Sequence, residues 1–259
     1  MISLLRTLEP GDPVVIALLS DIHSNIEALE ACLGHARENG AERFAFLGDL
    51  VGYGADPQAV VDLIERYAGE GSVVVKGNHD AAVEASDAYM NEDAAAAIAW
   101  TRGALSDRGK AFLAQLPLYV KDGAVCYVHA SADNPAEWPY VDGLEPAVAS
   151  IVAAQTAYTF SGHVHDQALY FLLPTGKISL FRPTPGSPVP VPPHRRWLAI
   201  VGSVGQPRDR NPAAAYALFD EAKATITFHR IPYDNAAAAR KIRAAGLPES
   251  LAWRLETGR

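Results

Sequence analysis

Nine apolar runs of strand length punctuate the chain: "VVIALLS" (14–20), "RFAFLG" (43–48), "SVVVKG" (72–77), "AVCYVH" (124–129), "YTFSG" (158–162), "KISLF" (177–181), "WLAIVG" (197–202), "AAYALFD" (214–220) and "ATITFHR" (224–230). Between the early runs the period changes from two to 3.6. In "NIEALEACLGHARENG", Ile26, Leu29, Leu33 and Ala36 fall on one helical face, with Ser24 expected as N-cap and Gly40 as stop. "DPQAVVDLIERYAGEG" repeats the pattern, with Asp56 as cap, Pro57 in the first turn and Gly69 or Gly71 at the end. Alternating strand and helix predicts parallel βαβ units in the first half. The closely spaced strands of the second half predict antiparallel pairing. Residues 91–116 read as helix with a break near Ser106–Asp107, and an amphipathic helical tail begins near Asp234, interrupted by "GLP". "RPTPGSPVPVPPHRR" (182–196) holds too many prolines for a central strand and is expected to be an extended surface loop. Its Val189 and Val191 offer an apolar arm either to a second subunit, making a homo-oligomer, or to this chain itself. No internal repeat or linker is evident, so residues 1–259 are read as one α/β domain.

Composition narrows the field. With 259 residues, 49% of them hydrophobic, the chain can bury a large core. A net charge of −8 argues against non-specific binding to nucleic acid or to membrane surfaces. No apolar stretch is long enough to span a bilayer, and the opening "MISLLRTLEPGDP" lacks the pattern of a signal peptide. Cys32 and Cys126, the only cysteines, lie inside apolar patterns and read as buried thiols. A cytoplasmic protein is the expectation.

The chemistry gathers where the strands end. Asp21 and His23 follow the first run, Asp49 the second, Asn78, His79 and Asp80 the third; His129 closes the fourth, and His163 and His165 follow the fifth. Five of the eight histidines sit at these ends. Carboxyl ends of parallel strands face one side of a sheet, where ligands bind. Turn chemistry accounts for Gly, Asn and Asp there, but it does not ask for histidine at four of five ends. Imidazole with carboxylate and amide oxygen, and no thiolate, suits Mn, Fe, Zn or Co better than Mg or Ca. Seven candidate ligands (Asp21, His23, Asp49, Asn78, His129, His163 and His165) are too many for one ion and suit two that share a carboxylate.

In this order, "SDIHSNIEAL", "GDLVGYG", "KGNHD", a lone His129 and "GHVH" resemble the motif series of the calcineurin-like metallophosphoesterases. The likeness is strongest to the compact bacterial branch of YfcE-like and diadenosine-tetraphosphatase-like proteins. It covers residues 20–165 and, more loosely, "GSVGQPRD" (202–209). The resemblance implies a four-layer αββα sandwich, two β-sheets face to face with flanking helices. It implies that Asp21, His23 and His165 hold one metal, that Asn78, His129 and His163 hold a second, and that Asp49 bridges them. His79 is then no ligand but a catalytic group beside the substrate. The implied cofactors are two divalent transition-metal ions, manganese foremost, with iron, zinc, cobalt or nickel as alternatives. The implied reaction is hydrolysis of a phosphate monoester or diester, nucleotides included, by a metal-bridging hydroxide. A catalytically weak scaffold or sensor of the same fold is the alternative.

The second motif departs from "GDxxDRG" of the protein serine/threonine phosphatases, and so lacks the arginine that grips phosphate there. Arg182, Arg195, Arg196, Arg208 and Arg210 are the candidates to replace it, or are solvated charges. Tyr53 either borders the pocket or packs on a neighbour. Trp138 and Tyr140 form either a nucleobase platform or an ordinary packed loop.

Overall fold

The computed structural model describes residues 14–85 and 91–259. The first sheet is built from β1 (Val15–Leu19), β2 (Arg43–Phe46) and β3 (Val73–Val74), joined through helices α1 (Ile26–Glu38) and α2 (Pro57–Gly69). All three strands are parallel. Helices α3 (Asn78–Glu84), α4 (Glu92–Ala104) and α5 (Asp107–Gln115) then lead to the second sheet. It begins with β4 (Tyr119–Asp122) and β5 (Val125–Val128), followed by helix α6 (Leu144–Ala154), β6 (Tyr158–Ser161), β7 (Ala168–Leu172) and β8 (Ile178–Phe181). The chain crosses back with β9 (Pro188–Pro190), adds β10 (Arg196–Ile200), and closes the first sheet with β11 (Ala214–Asp220) and β12 (Thr225–Ile231). Helices α7 (Asn235–Ala244) and α8 (Glu249–Thr257) form the tail.

The strand orders are β3-β2-β1-β11-β12-β9 and β4-β5-β6-β10-β7-β8. Alternation along the strands explains the layering, because successive side chains point to opposite faces. Ile16 and Leu18 enter the core between the sheets with Tyr127, Phe160, Phe219 and Phe228. Ala17 and Leu19 instead meet Leu29, Leu33, Val60 and Ile64 of α1 and α2. On the far side, α6 covers β7 and β10 through Ala147, Ile151, Tyr170 and Leu198. Two sheets face to face between helices are the α/β sandwich expected from the resemblance.

Several local expectations need correction. Asn25, not Ser24, caps α1, its side chain accepting from Ala28 N at 3.1 Å. Ser24 is instead turned to φ +54°. Asp56 stands at the cap position of α2 but accepts no backbone N–H there; its carboxylate takes Lys241 Nζ at 2.9 Å, tying α2 to α7. The proline-rich segment is not all loop. Pro188–Pro190 pairs with β12 as the outermost strand, where proline is tolerated because only one edge must bond. Its apolar arm folds onto its own chain, with Val191 2% exposed in the inter-sheet core and Val189 packed against it. In the second half, β6 pairs in parallel with both β5 and β10, so antiparallel pairing is incomplete there. The break at Ser106 is as expected, its hydroxyl accepting from Gly109 N at 3.1 Å to start α5.

Candidate metal centre

Parallel strands of both sheets end at one place, and short backbone bonds bind the ends together. Asp21 N donates to Gly48 O (3.1 Å), His23 N to Asp49 O (2.9 Å) and Gly162 N to His129 O (2.9 Å). Gly48 is needed for that approach: it has φ +83°, and a Cβ there would stand 2.6 Å from Gly77 N. The polar residues themselves adopt left-handed backbone. Asp21, His23, Asp49, His163 and His165 have φ of 52°, 49°, 51°, 65° and 71°. Non-glycine residues pay a steric penalty there, and such strain clusters at functional sites.

The side chains converge in overlapping trios. Asp21, His23 and His165 each bring a donor atom within 4.8 Å of the other two; Asp49, His129 and His163 do the same. Asn78 joins the second group, its Oδ1 3.1 Å from His129 Nε2. Asp49 lies between the groups: its Oδ2 is 3.8 Å from His23 Nε2 and 3.4 Å from His129 Nε2. Its other oxygen accepts from His79 N at 2.8 Å. All seven expected ligands are thus brought together. His79 lies among them too, completing a further trio with His23 and Asp49.

Tautomers follow from the backbone. A carbonyl can only accept, so the ring nitrogen facing it carries the proton. His129 Nδ1 donates to Leu47 O (2.8 Å), His165 Nδ1 to Gln206 O (2.6 Å) and His23 Nδ1 to Val51 O (3.3 Å). When these rings are neutral, each Nε2 is therefore an unprotonated acceptor aimed inward. Yet His23 Nε2 and His165 Nε2 lie 3.2 Å apart, and His129 Nε2 lies 3.1 Å from His163 Nδ1. The His23–His165 contact sets two lone pairs face to face, which a cation, either a metal ion or a proton, must separate; no carbonyl fixes the His163 tautomer, so its Nδ1–H can donate to His129 Nε2. Asp21 Oδ1 is also buried without a hydrogen-bond donor. The donor set and these orphaned acceptors fit divalent metal ions of the transition series.

Without a metal, the charges of the cluster shift its members in opposite directions. Burial works against ionisation of Asp49, but His129 and His79 outweigh it and hold the carboxyl well below its ordinary range. Burial likewise disfavours protonated His129, yet Asp49 pushes it up to about 9. Burial and then His129 drive His163 down to about 3. Burial is also the main cause that lowers His79, against the pull of Asp49. Asp80 does not orient the His79 ring. Its carboxylate accepts from Leu50 N (2.9 Å), Val51 N (3.2 Å) and Gly77 N (2.9 Å), bracing the two loops.

The rim carries residues whose part the sequence left open. Tyr53 packs on two of the histidines, its ring centroid 4.6 Å from His23 and 4.5 Å from His79. Tyr140 stacks on His163 at 4.1 Å and 25°, yet is 56% exposed. Trp138 meets His129 edge-on at 5.9 Å. Gln206, which sequence reasoning did not single out, orients His165 through its carbonyl, a role with no side-chain signature.

Residues 14–224 match the family model of the calcineurin-like phosphoesterase superfamily domain. An uncharacterized protein of Methanocaldococcus jannaschii is 36% identical over 95% of this chain and 98% of its own length. The crystal structure of a metallophosphoesterase from Sphaerobacter thermophilus superposes with a TM-score of 0.85 at 33% identity, covering 96% of this chain and 100% of that one. A putative diadenosine tetraphosphatase shares the fold, with a TM-score of 0.51 at 17% identity over 86% of this chain and 96% of that one.

Proposed function

The chain belongs to the calcineurin-like phosphoesterase superfamily, and from that premise we propose that it hydrolyses a small phosphate monoester or diester at a centre of two divalent transition-metal ions, manganese foremost. The observation that supports this reading is the position of Asp49 Oδ2 between the His23 and His129 ring nitrogens, from which it could serve two ions. Asp21, His23 and His165 would hold one ion and Asn78, His129 and His163 the other. When bound, such a pair lowers the pKa of a shared water and neutralises charge on the phosphoryl oxygens.

The chain's own groups do the rest. The Nδ1–H bonds to Leu47, Val51 and Gln206 hold the rings in the tautomer that presents a lone pair inward. Asp49 accepts from the backbone N–H of His79 at 2.8 Å and so ties the segment that carries His79 to the carboxylate that would be shared by the ions. His79 gives a hydrogen bond or proton to the leaving oxygen. Tyr140, exposed on one face and stacked on His163 by the other, supports an aromatic leaving group such as a nucleoside. Cys32 and Cys126, buried and unpaired, support a reducing compartment such as the cytoplasm. No helix among the described residues is long and apolar enough to cross a membrane.

The test is hydrolysis of p-nitrophenyl phosphate, bis-p-nitrophenyl phosphate and a dinucleoside tetraphosphate by manganese-reconstituted protein, with Asp49→Asn alongside. Turnover that disappears in Asp49→Asn is the expected result. A fully metal-loaded protein inert on all three substrates would overturn the reading.

A further inference from the structure

We propose that Arg208 grips the substrate's phosphoryl group, reaching it from the loop after β10 rather than from the 48–54 segment that supplies the arginine in the protein phosphatases. This rests on the phosphoesterase reading above.

The other four candidates have no recorded side-chain contact with the cluster or with the aromatic rings packed on it. Arg182 donates to Gln167 O (3.3 Å) and lines a cavity with Asp142, Asp166 and Tyr170 that none of the seven expected ligands lines. Arg195 lies over the Phe171 ring at 5.1 Å. Arg196 opens β10, at the end of the strand away from the centre. Arg210 is engaged through its backbone, which donates to Gly258 O at 2.6 Å. Arg208 alone stands against the site: its guanidinium is 5.8 Å from the Tyr53 ring centroid, and that ring packs on His23 and His79.

The segment that carries it is anchored to the centre. Val204 N donates to Ser20 O and Gly205 N to Asp21 O, both at 2.9 Å. The next residue, Gln206, accepts from His165 Nδ1 with its carbonyl. With its side-chain oxygen it accepts from Arg208 Nη2 at 3.1 Å. Arg208 is therefore held two residues from a group that fixes a ligand ring, on an aromatic floor that is itself 5% exposed.

Its charge is unspent. Arg43, Arg108, Arg230, Arg243 and Arg254 each have a carboxylate partner. Among the described residues Arg208 has none, and its hydrogen-bond partners are neutral, the Gln206 amide and the Tyr53 hydroxyl. An exposed planar guanidinium on the Tyr53 side of the centre matches two non-bridging oxygens of a phosphoryl group in a way a lysine does not.

The experiment compares metal-loaded wild type, Arg208→Ala, Arg208→Lys and the control Arg195→Ala. Metal content and melting temperature are measured first, then binding of inorganic phosphate by isothermal titration, then kcat and KM on the three esters. All four proteins should hold the same metal. Phosphate affinity and kcat/KM should fall about tenfold or more in Arg208→Ala. They should recover in part in Arg208→Lys and stay unchanged in Arg195→Ala. Wild-type phosphate affinity in Arg208→Ala would overturn the proposal, and so would a wild type that binds no phosphate. If phosphate binding depends on Arg208 but no ester is hydrolysed, the phosphoesterase reading falls and the phosphate grip stands.

Discussion

His163 and His165 are separated by one residue in the chain and fall in different trios of the cluster. Both residues take positive φ, so the backbone between them turns, and one presents Nδ1 to His129 while the other presents Nε2 to His23. The account predicts separable losses. His165→Ala should weaken the Asp21–His23 half, His163→Ala the Asn78–His129 half, and each should cost about one bound ion per chain by elemental analysis. His79→Ala should keep its metal while turnover of an ester with a poor leaving group falls by about 10²–10⁴. An unchanged rate would remove His79 from the chemistry. Tyr140→Ala should raise KM for an aryl or nucleotide ester about fivefold, with metal content unaltered. Most of the cluster was legible in the sequence, because histidine after a strand is unexplained by turn chemistry and four of five successive ends carry it. The rim was not. Tyr53 and Arg208 lie far apart in the chain, and only the fold brings the guanidinium over the ring.

At the scale of elements, apolar runs gave strands where both faces are buried in β1, β5 and β11, but β7, equally buried, was missed. Helix α6 was missed because "LEPAVASIVAA" starts on Gly143 without a side-chain cap and carries Pro146 in its first turn. Strand β9 was missed because prolines forbid a central strand but not an outer one. The contact of α1 with β11 and β12 adds a pH-dependent feature remote from the metals. His229 stacks on Tyr216 at 5.1 Å and lies 4.9 Å from His35. Burial, then His35, lowers His229 to about 4. An unfolded histidine titrates at about pH 6.5, so on acidification the unfolded chain takes up this proton first. Its contribution to stability is whole above that value and is lost as pH falls toward 4. Wild type should therefore lose more melting temperature between pH 7 and 4.5 than His229→Phe at equal metal loading. Parallel curves would show that His229 has no such effect.

At the scale of the whole molecule, the centre draws on both sheets and on the tail. Tyr53 shares a core with Ala97 of α4, Ala238 and Ile242 of α7, and Leu251 and Leu255 of α8. We propose that the chain folds as one unit for this reason. Leu251→Ala should lower stability by about 2–5 kcal/mol while keeping a single unfolding transition. A separate early transition for the tail would contradict that. The two-ion centre itself is tested most directly by titrating chelator-stripped protein with Mn²⁺ in a calorimeter, wild type beside Asp49→Asn. The account predicts saturation at two ions per chain for the wild type, with at least one tight site lost in Asp49→Asn. Saturation at one ion, or identical isotherms for the two proteins, would contradict it.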